Sequence, residues 1–192
     1  MHHISGILLA AGNGERFGGH KLLHPLTDGT PLGVAAARHL LAVLPDSIAV
    51  VREDDEVLSG LLSDEGMTVI TCANAHLGMG ASLATGVLAT FGVDAWVIAL
   101  ADMPFVRSRT IWEIATLMQR GALLAAPFYQ GQRGHPVGVS QMFRDELLRL
   151  TGDQGAREVL ANYSARLKRH EVDDPGVLID VDVPADIAGC LS

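Results

Sequence analysis

The chain has 192 residues, 48% of them hydrophobic, a formal net charge of −8 and a mean hydropathy of +0.27. That length suits one domain with a sizeable core, and with only 5% aromatic residues the core must be built from Leu, Val, Ile and Ala. The acidic balance argues against a general nucleic-acid binder, so a polyanionic ligand would have to be met by a few concentrated cations or by metal.

Residues 4–11 form an apolar run that reads as the first strand, and it breaks abruptly into Gly12-Asn13-Gly14-Glu15-Arg16-Phe17-Gly18-Gly19-His20-Lys21. A buried strand that runs into glycines presents open backbone N–H groups, which can cradle phosphates. Arg16 offers a planar fork of donors and Lys21 a compact point charge. The same residues also suit a flexible turn with solvated charges, and glycines alone do not choose between the two. A dinucleotide fingerprint fails at Phe17. A P-loop fails because His20, Lys21 and Leu22 follow Gly19.

Further along, 32–44 reads as a helix, 48–51 as a strand, 54–63 as a helix and 67–71 as a strand. Residues 81–91 are helical, opened by Gly78 and Gly80, which would let a base or ribose approach the backbone. Ser82 is a candidate nucleotide donor or a helix cap. The nearly continuous apolar run 95–101 predicts a central strand covered on both faces. It ends at Asp102, before Met103-Pro104. A carboxylate there can hold Mg²⁺ or cap the turn. Residues 108–119 read as a helix, 122–127 and 137–139 as strands, and the polar stretch 129–135 as a mobile loop. Residues 142–150 and 156–162 read as helical, 167–172 as extended and 184–191 as helical.

Strand–helix alternation predicts a three-layer α/β/α architecture with a mostly parallel, Rossmann-like sheet, as one domain over 1–192. Ligands of such sheets bind beyond the carboxyl ends of strands, at a topological switch point. Cys72 and Cys190 lie far apart without metal or disulfide spacing, which fits a reducing cytoplasm. No run approaches membrane-spanning length, and the first residues lack signal-peptide character. His20, His24, His39, His76 and His170 show no zinc-like spacing and read as surface or core residues.

The stretch from Leu8 to Lys21, L-L-A-A-G-x-G-x-R-F-G-x-x-K, resembles the signature loop of the MobA-like nucleotidyltransferases. Four later segments fall in that family's order. They are Gly78-Met79-Gly80-Ala81-Ser82-Leu83, Leu100-Ala101-Asp102-Met103-Pro104, Gly131-Gln132-Arg133-Gly134-His135-Pro136 and Gly152-Asp153-Gln154-Gly155-Ala156-Arg157. Within the superfamily the chain is most similar to the molybdenum cofactor cytidylyltransferases, through Ala10-Ala11-Gly12.

The resemblance implies a nucleotide-diphospho-sugar-transferase-like fold, with nucleotide on the N-terminal half and acceptor on the C-terminal half. It implies Ala10, Ala11, Gly12, Gly14, Gly80 and Ser82 near the nucleotide, Arg16 and Lys21 on the triphosphate, and Asp102 on Mg²⁺. Asp180-Val181-Asp182-Val183-Pro184-Ala185-Asp186 resembles the family's D-x-D-T-P-x-D segment, with Val183 where Thr is usual. That makes Asp182 a second Mg²⁺ ligand, although Asp before Pro184 also suits a helix N-cap. Arg133, His135 and Arg157 are implied on a molybdopterin-type acceptor and its phosphate. His135 before Pro also suits a structural role, and Asp153 would cap the helix that Arg157 opens.

The expected activity joins CMP from CTP to the terminal phosphate of molybdenum–molybdopterin, with Mg²⁺ as cofactor, in the cytoplasm. A downstream molybdoenzyme or its chaperone is the expected protein partner; nucleic acid and membrane are not. The alternatives are GTP as donor, a sugar- or polyol-phosphate acceptor, and a non-catalytic carrier of the molybdenum cofactor. A pure carrier would not need Arg16, Lys21, Asp102 and Asp182 together. A dinucleotide-dependent oxidoreductase ranks behind all of these.

Overall fold

The computed structural model describes residues 2–12 and 20–182. Among these, eight strands share one sheet: β1 (Ile4–Ala10), β2 (Ile48–Arg52), β3 (Thr68–Cys72), β4 (Ala95–Leu100), β5 (Leu124–Tyr129), β6 (Gln132–Arg133), β7 (Val137–Ser140) and β8 (Leu167–Glu171). Six α-helices flank it: α1 (Leu32–Leu41), α2 (Glu56–Asp64), α3 (Met79–Ala89), α4 (Ser108–Gln119), α5 (Arg144–Leu148) and α6 (Arg157–Asn162).

The strand order is β3-β2-β1-β4-β7-β5, with β6 and β8 also paired to β5. Strands β1 to β4 run parallel, and β8 runs parallel to β5. β7 is antiparallel to β4 and β5. The chain steps outward from β1 to β3, then returns to place β4 on the other side of β1. The switch point therefore lies between the carboxyl ends of β1 and β4, where Leu9 pairs with Leu100.

Every residue of β1 is buried, as a strand covered on both faces requires. Its side chains alternate between two cores. Leu8 and Ala10 join Leu40 of α1, Leu58 of α2 and Ile114 of α4. Ile7 and Leu9 join Leu83 of α3, Leu147 of α5 and Val159 of α6. Each fully buried Leu or Ile contributes roughly 1.5–3 kcal/mol, so two dry faces hold the centre of the sheet rigid. The three-layer α/β/α architecture is thereby realised.

Three expectations are corrected. The stretch 129–135, expected as a loop, contains a short hairpin. Tyr129 pairs with Gln132 across a two-residue turn, with φ of 50° at Gln130 and 79° at Gly131. Positive φ at both central residues matches the twist of a hairpin, and its polar composition concealed the pairing. β5 begins at Leu124 rather than 122, because Ala122 still donates to the Leu117 carbonyl (3.0 Å) in closing α4. Residues 142–150 do not form one helix; a 3₁₀ turn, Gln141–Phe143, precedes the five-residue α5. The helix expected over 184–191 lies outside the described residues, as do Gly14, Arg16 and Cys190. Among the described residues no helix is long and apolar enough to cross a membrane.

Candidate active site

A cleft of about 880 Å³ opens at the carboxyl ends of β1, β2 and β4. Ala11 and Gly12 line it where β1 ends, and a side chain built at Gly12 would meet nothing within 4 Å. Ala10 is buried in the adjoining core.

Three charged side chains meet in this cleft. Lys21 opens a 3₁₀ turn, Lys21–Leu23, and is only 8% exposed. Its Nζ donates to Oδ2 of Asp102 at 3.0 Å and to Oδ1 of Asp182 at 3.0 Å. Burial alone would lower the lysine pKa. The charge of Asp102 and hydrogen bonds to both carboxylates outweigh burial and hold it above its ordinary value.

Backbone, not side-chain chemistry, sets this meeting. Asp102 follows β4, and its carbonyl accepts from the Val181 amide at 2.9 Å. Val181 is fully buried against Leu32, the first residue of α1. The neighbouring Asp182 is thereby held beside Asp102. The two carboxylates converge on one cation, and hard oxygen donors of this kind suit Mg²⁺ or Mn²⁺. Among the described residues no group of three or more metal-ligating side chains occurs. Two carboxylates suffice for a cation that completes its shell with water and phosphate oxygens.

The opening of α3 forms another wall. Gly78 sits just before it with φ 103°, and Gly78, Met79 and Ser82 line the cleft. Ser82 lies inside α3 and is not its cap. Gly80 does not face the cleft. A side chain there would lie 2.9 Å from the Thr151 nitrogen and 3.0 Å from the Leu150 carbonyl carbon. The chain's own backbone fills the space that the sequence suggested for a base or ribose. Asp153 is not a cap of α6, whose Ala156 N-cap makes no side-chain bond; it lines the cleft instead, against Gly78.

Sequence reasoning passed over Arg52, Asp54 and His76, which line the same cleft. Arg52 ends β2 and binds Asp54 at 2.9 and 2.6 Å. The available signal was position: β2 lies beside β1, so its carboxyl end had to border any pocket at the end of β1.

A second cluster forms on the antiparallel side. Arg133 lies in β6, and Arg157 is the first residue of α6. Neither has an ion-pair partner among the described residues. Burial, then the nearby charge of Arg157, lowers the Arg133 pKa. His135 is pushed down to about 4, chiefly by burial and then by the charge of Arg133. Its Nδ1 is buried without a hydrogen-bond partner. Arg133, His135 and Arg157 thus share one electrostatic neighbourhood, which the charge of Asp180 also reaches, and none of the three lines the main cleft.

The model of the MobA-like NTP transferase domain matches residues 6–170, and the chain belongs to this family. No curated protein matches it. Among solved structures it is similar to Rv0371c from Mycobacterium tuberculosis H37Rv, at 27% identity and a TM-score of 0.85, over 99% of this chain and 97% of that one. A structure of Rv0371c from the same organism in complex with manganese aligns at 24% identity and a TM-score of 0.81, over 98% of each chain. Molybdopterin-guanine dinucleotide biosynthesis protein A from Archaeoglobus fulgidus shares the fold at 19% identity and a TM-score of 0.68, over 96% of this chain and 95% of that one.

Proposed function

We propose that this MobA-like NTP transferase is a Mg²⁺-dependent cytidylyltransferase that joins CMP to the terminal phosphate of a molybdenum–molybdopterin cofactor. The observation that carries the reading is the convergence of Asp102 and Asp182 on one buried cation at the switch point of the sheet. A transferase of this kind needs a divalent cation at the reacting phosphates, and Asp102 and Asp182 are the residues that would hold it. Manganese in the structure of Rv0371c is consistent with divalent-metal use in related chains. When bound, the ion supplies positive charge at the α-phosphate.

The chain's own residues supply the rest. Gly12, without a side chain, leaves room for phosphates to approach the backbone. Lys21, in the wall of the cleft, would offset charge gathering on the leaving pyrophosphate. Arg16 is assigned the same role from the sequence. Ala11 and Ser82 border the nucleotide space. On the other side, Arg133 and Arg157, without ion-pair partners among the described residues, are two cations suited to an acceptor phosphate.

An acceptor phosphate oxygen attacks the α-phosphorus of CTP in line. The new P–O bond forms as the bond to the β-phosphate oxygen breaks, and pyrophosphate leaves. No general base is needed, because a phosphate monoester with second pKa ≈ 6 is already largely dianionic at neutral pH. Catalysis then rests on positioning and charge.

The test is pyrophosphate release with Mg²⁺ and purified molybdenum cofactor, offering CTP, GTP, ATP and UTP separately. Release with CTP alone supports donor and acceptor together. Release with GTP alone keeps the chemistry and changes the base. No release from folded protein overturns the acceptor assignment.

A further inference from the structure

Of fourteen basic side chains in this sequence only two, Lys21 and Lys168, are lysines, and one of them lies buried between two carboxylates. A guanidinium grips one carboxylate side-on through a rigid fork. An ammonium on a flexible stem can bridge two carboxylates and swing away. Lys21 is therefore the residue type suited to a counter-ion that must leave.

Its two acceptors, Oδ2 of Asp102 and Oδ1 of Asp182, belong to the carboxylates that the proposed function gives to a divalent cation. Nζ stands 3.0 Å from each. A Mg²⁺ ion would sit about 2.1 Å from such oxygens, so ammonium and metal would compete for nearly the same place. We infer that Lys21 is the resident counter-ion of the metal carboxylates, holding them together before metal arrives and leaving them when a divalent cation enters. The inference rests on the nucleotidyltransferase reading of the cleft.

Two consequences follow from charge alone. Metal by itself binds weakly, because it must expel an ammonium. A triphosphate offers the expelled ammonium a new partner, so metal and nucleotide each favour the other's binding. Without the ammonium, that part of the coupling disappears and metal binds well alone.

The two-lysine composition makes the test direct. Wild-type protein is labelled with acetic anhydride, with and without MnCl₂ and without nucleotide, and each lysine is followed by peptide mass spectrometry. Exposed Lys168 is the internal reference. Electron paramagnetic resonance of free Mn²⁺ tracks occupancy. The expected result is that Lys21 labels at least about tenfold more slowly than Lys168 without metal and accelerates as Mn²⁺ saturates. In parallel, Lys21→Met should bind Mn²⁺ alone about tenfold more tightly than wild type.

Mn²⁺ that saturates the protein without changing Lys21 labelling overturns the inference, and so does a folded Lys21→Met protein with unimproved Mn²⁺ affinity. Should that variant not fold, the wild-type labelling decides alone. Failure of the underlying reading looks different: Asp102→Asn would then bind Mn²⁺ as well as wild type, placing the metal elsewhere.

Discussion

The two charged regions of this molecule are built on opposite electrostatic plans. At the carboxyl ends of the parallel strands, Lys21 pairs with both Asp102 and Asp182, opposite charges drawn together. On the antiparallel side, Arg133 faces the charge of Arg157, and His135 is left neutral with an unpartnered nitrogen. In the first region each charge meets an opposite one, so under the proposed function an entering cation would compete with Lys21 for the carboxylates. The second sets like charges near one another, with Asp180 close enough to act on His135, and an anion there would ease the repulsion between the arginines. A transferase that binds metal and triphosphate at one place and an acceptor phosphate at another needs both arrangements.

Removing the Asp102 carboxylate should break the comparison most severely. Asp102→Ala is expected to lower turnover by roughly a thousandfold or more, because charge stabilisation at the reacting phosphate is lost. Its thermal unfolding should stay cooperative, since Asp102 is part-exposed and its carbonyl, not its side chain, anchors Val181. Steady-state pyrophosphate release and a melting curve check both halves, and an active variant removes the metal assignment.

The neutral state of His135 gives the second region a pH signature. Its folded pKa of about 4 lies below the ordinary histidine value of 6.5. Between those values the unfolded chain binds a proton that the folded chain refuses. The contribution is fully present above pH 6.5 and is lost as pH falls towards 4, about 3 kcal/mol over the whole window. Urea unfolding from pH 7.5 to 5 should show about 2 kcal/mol of this loss in wild type and a shallower slope in His135→Gln. Equal slopes would mean that His135 titrates normally.

Arg133→Ala and Arg157→Ala should separate the regions functionally. Each is expected to raise the acceptor KM roughly 10- to 100-fold, the worth of a charge-assisted contact. The nucleotide KM should hardly move. A matching rise in nucleotide KM would assign these arginines to the donor instead.

The smallest effect is expected at Gly80, which borders the first region without belonging to it. A methyl group there would press on the backbone at Leu150 and Thr151, while helix propensity improves. Gly80→Ala should lose about 1 kcal/mol of stability with nucleotide affinity unchanged. Calorimetry and nucleotide titration on the same preparation separate packing from binding.

Much of this molecule is written locally. The alternation of apolar runs and amphipathic stretches specified strands and helices in nearly their observed order, because period and turn residues act over a few positions. Asp102 was legible for the same reason, a carboxylate placed where a buried strand stops. The family resemblance grouped Asp102 with Asp182 and Arg133 with Arg157, but the contacts between particular side chains were not legible. Lys21 reaches Asp182 across 161 residues, through a backbone bond from Val181 and the burial of Val181 on Leu32. Nothing near Gly80 in sequence announces that residues 150–151 will press on it. The sequence by itself determined the elements and the chemical types at their ends, since those depend on short-range sterics and hydrophobic period. Which charges would pair and which would stay unpaired was decided only when long-range burial fixed distant backbones side by side.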